Sequence, residues 1–174
     1  TIVRFHNPSI RDFLQNYLAM NLGDVRGLCS AFVFFDQVVA LWEPEQTQGP
    51  TIREVLKRLP DELWSSIQST YPSPDSRLID VRGSSERVID KHKYPLPLET
   101  RLVYALDIET RASADNSGKI IKQMLETILN RLRQGQGDNK HALLLLLSRL
   151  KKVGSWYGVK QEDFLNKAKE YLMH

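Results

Sequence analysis

The side chains that most often carry catalysis or bind metals are few in this chain and do not form a reactive pattern. There is no His-Glu-x-x-His pair, and the single cysteine, Cys29, cannot build a zinc cluster. A Gly-x-x-x-x-Gly-Lys-Ser/Thr phosphate loop and a Gly-x-Ser-x-Gly nucleophile motif are also absent from the sequence. We therefore expect no catalytic residue, no cofactor and no metal. The scattered histidines are His6, His92, His141 and His174.

A cluster of three cations near the end of one helical stretch could bind a polyanion. Arg149, Lys151 and Lys152 lie close to Trp156 and Tyr157, so charge and ring stacking could together contact a nucleic acid. Cations in the last turn of a helix also complement its dipole and keep their charged ends in water. The helix-end interpretation is favoured, and the polyanion patch remains the alternative.

A second candidate pair combines an arginine with a histidine five residues later. Arg87 and His92 have a spacing that resembles the motif of HEPN-type helical ribonucleases, although Val88 stands where those enzymes usually carry a polar residue. The resemblance implies that Arg87 would position a phosphate and that His92 would move a proton. This alternative function is a nucleic-acid-associated helical domain, with a ribonuclease as its enzymatic extreme.

The elements that must position these side chains begin with a helix signal near the N-terminus. Asn7 can cap a helix through its side-chain oxygen, and Pro8 suits the first helical position because no backbone donor is needed there. Just before the cap, Ile2, Val3 and Phe5 are typical of the end of a short strand. After the cap, apolar residues recur at helical spacing and form one face. These residues are Ile10, Phe13, Leu14, Tyr17 and Leu18.

This stretch resembles the end of the winged-helix segment in bacterial STAND-class signalling ATPases. Those proteins often carry a strand followed by His-Pro-Ser-Phe-x-Glu-Phe-Leu, which is similar to Asn-Pro-Ser-Ile-Arg-Asp-Phe-Leu at residues 7–14. Residues 33–42 are also similar to that class. In the family the motif histidine can sense the nucleotide phosphates, so the resemblance makes Asn7 and the preceding His6 the nucleotide-sensor candidates. It also implies that the chain is a C-terminal part of such a protein, beyond the ATPase core. This part would begin at the stretch Phe-His-Asn-Pro-Ser-Ile-Arg-Asp-Phe-Leu.

The length of the chain predicts one domain, or one domain with a small additional segment. Its 174 residues contain no targeting leader and no apolar run that approaches the ~18 residues of a membrane-spanning helix. A single cysteine fits a reducing compartment, so we expect a cytoplasmic chain without membrane contact. The opening on Thr1 predicts a fragment of a longer protein. The net charge of +3 is uneven, because residues 1–114 carry 13 Lys and Arg against 15 Asp and Glu, whereas residues 115–174 carry 11 against 6.

Loop residues divide the helical stretches into two parts. The segment 43–50 contains two prolines and a glycine, and it predicts a boundary between a winged-helix-like segment at 1–43 and a helical domain at 51–174. In the first part, Asn21-Leu22-Gly23 is expected to end the first helix, since Gly23 can readily adopt the left-handed conformation found at helix ends. Residues 31–42 are expected to form a well-buried helix.

The second part is the more regular helical part of the sequence. Pro60 is expected to begin a helix that stops near Tyr71, and helical spacing recurs over 98–111, 119–134 and 162–172. A further helix has five consecutive leucines, Leu143 to Leu147, at its centre. Because it is apolar nearly all round, we expect it to be the most buried element of this end. Three tryptophans are expected to anchor the core: Trp42, Trp64 and Trp156.

These patterns predict a mainly all-α chain, an irregular helical array or bundle with a short N-terminal strand and a winged-helix remnant. With the resemblance, the expected function is a non-catalytic regulatory or scaffold segment of a larger STAND-like ATPase. Such a segment would couple the nucleotide switch to sensing or assembly, as in bacterial defence. The expected partners are the other domains of the parent protein, with a second copy of the chain as an open alternative and nucleic acid less favoured.

Overall fold

Nine α-helices and no β-strand make up residues 8–43, 52–72 and 96–173, which are the residues that the computed structural model describes. The expected all-α class and helical array are thereby confirmed. The predicted strand at Ile2–Phe5 and the cap residue Asn7 lie outside the described residues. The helices are α1 (Pro8–Met20), α2 (Leu22–Ser30), α3 (Phe35–Trp42), α4 (Ile52–Leu56), α5 (Pro60–Thr70), α6 (Leu98–Glu109), α7 (Ser117–Arg133), α8 (Lys140–Val153) and α9 (Gln161–Met173).

The helices pack around one connected hydrophobic core. In the first half, α1 packs on α4 and α2, while α3 packs on α4 and α5. In the second half, α6 packs on both α7 and α8, and α9 covers part of α7. Trp42 and Trp64 are buried in this core, as expected. Trp156 is half-buried and its ring lies 5.6 Å from that of Phe164, measured between centroids.

Helices on both sides of the predicted 43–50 boundary share buried contacts. The hydroxyl of Ser66 on α5 donates to the carbonyl oxygen of Cys29 on α2 at 2.7 Å. Within the second part, the indole N–H of Trp64 donates to the carbonyl oxygen of Ala112, also at 2.7 Å, and so joins α5 to the segment that follows α6. A division of the chain into two domains at this loop stays a prediction.

Several helix ends agree with their local signals. Pro60 occupies the first position of α5, and Asp61 and Glu62 follow in its first turn, where acidic side chains complement the helix dipole. The helices expected over 98–111, 119–134 and 162–172 are α6, α7 and α9, with ends shifted by at most two residues.

The first helix ends at the start of the expected stop, residues 21–23, but Asn21 and not Gly23 forms the connection. α1 ends at Met20, and α2 begins at Leu22, so Gly23 lies in the first turn of α2. Asn21 makes the turn instead, because its side-chain amide donates to the carbonyl oxygen of Tyr17 at 2.6 Å. A capping amide therefore ends the helix before the glycine is reached.

The helix expected over 31–42 is shorter than predicted, since α3 begins only at Phe35. Gln37 determines this start. Its side-chain oxygen accepts the backbone N–H groups of Val33 and Phe34, each at 2.9 Å, and satisfies two donors that a helix end leaves open. Val33 and Phe34 are thereby held outside the helix.

The leucine-rich helix α8 is not the most buried element of its end, and that expectation is wrong. Leu143, Leu146 and Leu150 are buried, but Leu144 and Leu145 are 52% and 51% exposed. Five consecutive residues turn through more than one full circle of a helix, whereas α8 has its packing partners, α6 and α9, on part of that circle. Two of the five leucines therefore face water.

Candidate functional site

Four of the residues proposed from the sequence lie outside the described residues. They are the nucleotide-sensor candidates His6 and Asn7 and the ribonuclease candidates Arg87 and His92. Their roles stay predictions.

The three cations of the predicted polyanion patch fall into two groups. The guanidinium of Arg149 points to α6, where its Nη2 lies 3.0 Å from Oδ1 of Asp107. Its Nε is buried and has no hydrogen-bond partner among the described residues. Lys151 and Lys152, in the last turn of α8, are exposed. The structure thus gives Arg149 an internal partner and leaves the two lysines facing water.

Asp107 connects three helices through one carboxylate. Its Oδ2 accepts the indole N–H of Trp42 on α3 at 3.0 Å. Its Oδ1 accepts from Arg149 on α8 at 3.0 Å and from Nε of Arg111, one turn further along the chain, at 3.4 Å. We call these four residues the Asp107 node. Because two guanidinium groups neutralise the carboxylate, the node is suited to hold helices together rather than to transfer protons.

A buried glutamate lies at the other end of α6. Glu99 is 2% exposed, its Oε1 lies 3.4 Å from the backbone N–H of Asp138, and its Oε2 has no partner among the described residues. Burial raises the pKa of the Glu99 carboxyl, since the charged form loses its water. Asp138 is itself paired with Arg131, which lies 2.5 Å away through Nη2. Among the described residues, Glu99 therefore has no ion-pair partner of its own.

A groove of about 400 Å³ runs between α7 and the start of α9. Two of its four charged lining residues are paired with each other, because Nη2 of Arg133 lies 2.5 Å from Oδ2 of Asp163. Arg133 also donates to the side chain of Asn130 at 3.2 Å. A ligand that used the charge of Arg133 or Asp163 would have to break this pair, which makes the groove a weaker candidate site.

The described residues give little support for a metal-binding site or a reactive thiol. There, no three His, Cys, Asp or Glu side chains converge closely enough to hold a metal ion. Cys29 is buried, and burial raises the pKa of its thiol, which keeps the sulfur in its unreactive protonated form. None of the helices in the described part of the chain combines the length and the apolar character needed to cross a membrane.

The outer face of α8 carries apolar and basic side chains together. Leu144 and Leu145 are about half exposed. Lys151 follows Leu144 by seven residues, and Lys152 follows Leu145 by the same number. Residues seven apart lie on nearly the same line along a helix. We call these four residues the leucine–lysine stripe.

The outer face of α1 carries a second exposed apolar feature, formed by Phe13, Tyr17 and Met20. These side chains are 65%, 46% and 75% exposed, and the two rings stack with centroids 6.4 Å apart. We call them the α1 ridge. Their spacing places them within about 60° of one another around the helix. Leu18 and Ala19, which pack on the core, lie more than about 100° away on either side.

Comparison of the chain with protein-family models, curated proteins and solved structures finds no match. The resemblance to STAND-class ATPases therefore still rests on the residues of the N-terminal motif.

Two features of the candidate site were not identified from the sequence. Met20 follows Phe13 by seven residues, so the two side chains lie at nearly the same angle around the helix axis. The angular positions, at 100° per residue, separate the α1 ridge from Leu18, although both fit the predicted apolar face. The role of Asp107 has no local signal, because its partners Trp42 and Arg149 lie 65 and 42 residues away in the chain.

Proposed function

We propose that this chain is a non-catalytic regulatory or scaffold segment of a larger STAND-like ATPase, where it couples the nucleotide switch to sensing or assembly. The observation that carries the proposal is the α1 ridge. A helix that is apolar on two opposite faces is typical of an interior position. We propose that α1 occupies such a position between the helical array and the preceding ATPase module of the parent protein.

The size and position of the α1 ridge support the ATPase module as the partner that covers it. Three side chains of this size with these exposures leave on the order of 400 Å² of contiguous apolar surface, as large as the patches that often mark binding sites on monomers. α1 also contains most of the 7–14 stretch that resembles the end of a winged helix. The ATPase module of such a protein would therefore enter beside the ridge.

A chain of packed contacts leads from α1 to the far end of the array. α1 packs on α4, and α4 packs on α3. Trp42, the last residue of α3, bonds to Asp107 on α6, which in turn holds Arg149 on α8. In the proposed function, a displacement of α1 by the nucleotide switch is transmitted to α8 along this route.

The chemistry of the described polar groups supports a coupling role over catalysis. The carboxylate of Asp107 is occupied by an indole and two guanidinium groups, and the Cys29 thiol is buried. Neither group could act as a base or nucleophile without leaving its partners or its burial.

A second candidate function is association with nucleic acid. One observation favours it, because Lys151 and Lys152 are exposed in the basic part of the chain. The pairing of Arg149 with Asp107 weakens it, since the third cation of the patch is directed inward. Its ribonuclease form is tested by Arg87→Ala and His92→Ala, either of which should then abolish RNA cleavage.

The proposed function is tested in the full-length protein with the variant Tyr17→Glu. A charge on the ridge should break the contact with the ATPase module, so that nucleotide no longer changes assembly, while circular dichroism stays that of the wild type. Ala40→Glu places the same charge on an exposed position of α3 and serves as the control. A full-length protein that lacks a nucleotide-binding module, or a Tyr17→Glu variant that still assembles in response to nucleotide, would overturn the proposal.

A further inference from the structure

We infer that the leucine–lysine stripe on α8 binds a partner protein through an acidic amphipathic helix. This inference is independent of the proposed function, because the stripe and the α1 ridge share no residue. The stripe consists of two half-exposed leucines and, two turns later, two exposed lysines.

The geometry of the stripe defines its ligand. Leu144 and Lys151 lie on one line along α8, and Leu145 and Lys152 lie on a second line about 100° further around the helix. Seven residues correspond to a rise of about 10 Å, so the apolar pair and the charged pair are separated by that distance. A helix that presents two apolar side chains and, about 10 Å away, two carboxylates would match both pairs when it lies along α8.

The charge of the stripe is unopposed. Three other lysines in the described ranges have a glutamate of their own helix or turn nearby, as Lys57 has Glu54 at 2.7 Å and Lys167 has Glu170 at 2.7 Å. α8 contains no acidic residue. Lys151 and Lys152 have no ion-pair partner in the part of the chain that the structure describes. Carboxylates from a partner would supply the missing charge.

The exposed leucines favour a protein over the other polyanions. Nucleic acids are held by cations together with stacking rings or planar guanidinium groups. The exposed apolar side chains of the stripe are aliphatic, and the nearby guanidinium of Arg149 is bonded to Asp107. Binding flat on a membrane requires a broad apolar face, but the broad apolar face of α8 is buried against α6 and includes Leu143, Leu146 and Leu150.

The inference is tested with a fluorescein-labelled, alanine-rich helical peptide that carries two leucines and, two turns away on the same face, two glutamates. Fluorescence anisotropy measures its affinity for the complete chain. Lys151→Glu/Lys152→Glu should weaken binding at least about tenfold, and Leu144→Ser/Leu145→Ser should weaken it by a similar factor. Leu165→Ser/Lys169→Glu, a matched pair on the exposed side of α9, should leave the affinity within about twofold.

A charge exchange separates the inference from nonspecific attraction. A peptide with lysines in place of the two glutamates should bind the Lys151→Glu/Lys152→Glu variant and not the wild type. The inference is overturned if the acidic peptide does not bind, or if the α8 variants bind it as the wild type does. It is also overturned if duplex RNA, or vesicles of phosphatidylserine and phosphatidylcholine, bind through the lysines more tightly than the peptide and without need of the leucines.

Discussion

Replacement of Asp107 by alanine is expected to lower the free energy of unfolding by about 1–3 kcal/mol, chiefly through the loss of an acceptor for Trp42. The indole of Trp42 is buried and its N–H is bonded only to Oδ2 of Asp107 at 3.0 Å among the described residues. A buried donor left without an acceptor costs about 1–3 kcal/mol. This is the largest contribution.

The ion pairs of Asp107 add less, because they are partly exposed. The side chains of Arg149 and Asp107 are 32% and 27% exposed, and such pairs contribute about 0.2–1 kcal/mol after screening by water. The pair with Arg111, which is more exposed, adds less again. Two effects oppose these losses by about 1 kcal/mol in all: alanine is the better helix former, and an acidic residue is unfavourable near a helix C-terminus.

The variant Asp107→Asn separates the two contributions. Its amide oxygen can still accept the indole N–H, whereas the charge that holds Arg149 is lost, so we expect a decrease of no more than about 1 kcal/mol. Urea unfolding followed by circular dichroism measures each value. Glu126→Ala removes an exposed carboxylate 3.8 Å from Lys122 and should change stability by less than about 0.5 kcal/mol. The reasoning is refuted if Asp107→Ala is as stable as Glu126→Ala, or if Asp107→Asn is as damaging as Asp107→Ala.

Three further predictions concern single positions. Burial raises the pKa of Glu99 above its usual 4.5, so the folded state binds the proton more tightly than the unfolded state, and stability should fall as pH rises from 4.5 through the folded pKa. Glu99→Gln should remove that part of the decline when urea unfolding is measured at increasing pH above 4.5, and an unchanged slope would contradict the assignment. Gly137→Ala should lower the unfolding free energy by about 1–3 kcal/mol, because the new methyl group would overlap the ring of Tyr171; a neutral effect in thermal unfolding would argue against this packing. Gly154 ends α8 with φ +71°, so Gly154→Ala should cost about 1–2 kcal/mol and Gly154→Asn, which tolerates that backbone better, less; equal losses for both would refute the strain argument.

Much of the fold could be predicted because the signals are local. Pro60 marks the start of α5 by its fixed backbone angle, and Asn139 caps α8 by accepting the N–H of Ala142 at 3.0 Å. The apolar spacing in residues 119–134 gives α7 and its buried face. Helix starts of this kind depend only on residues within one turn.

The features that escaped prediction depend on contacts across the fold. The exposure of Leu144 and Leu145 follows from where α6 and α9 pack, which no run of leucines reveals. The inward turn of Arg149 depends on Asp107, 42 residues earlier. The polyanion patch was read from neighbours in sequence, and the fold directs one of its three members elsewhere.

The central claim, that the α1 ridge packs on a preceding ATPase module, is tested most directly by thiol labelling at Met20→Cys. This position is 75% exposed in the chain described here, while the native Cys29 is buried and should react slowly. Ala40→Cys on α3 is the exposed control. The account predicts fast labelling of Met20→Cys in the 174-residue chain and labelling at least about tenfold slower in the full-length protein, with Ala40→Cys equally fast in both. Equal rates for Met20→Cys in the two proteins would contradict it.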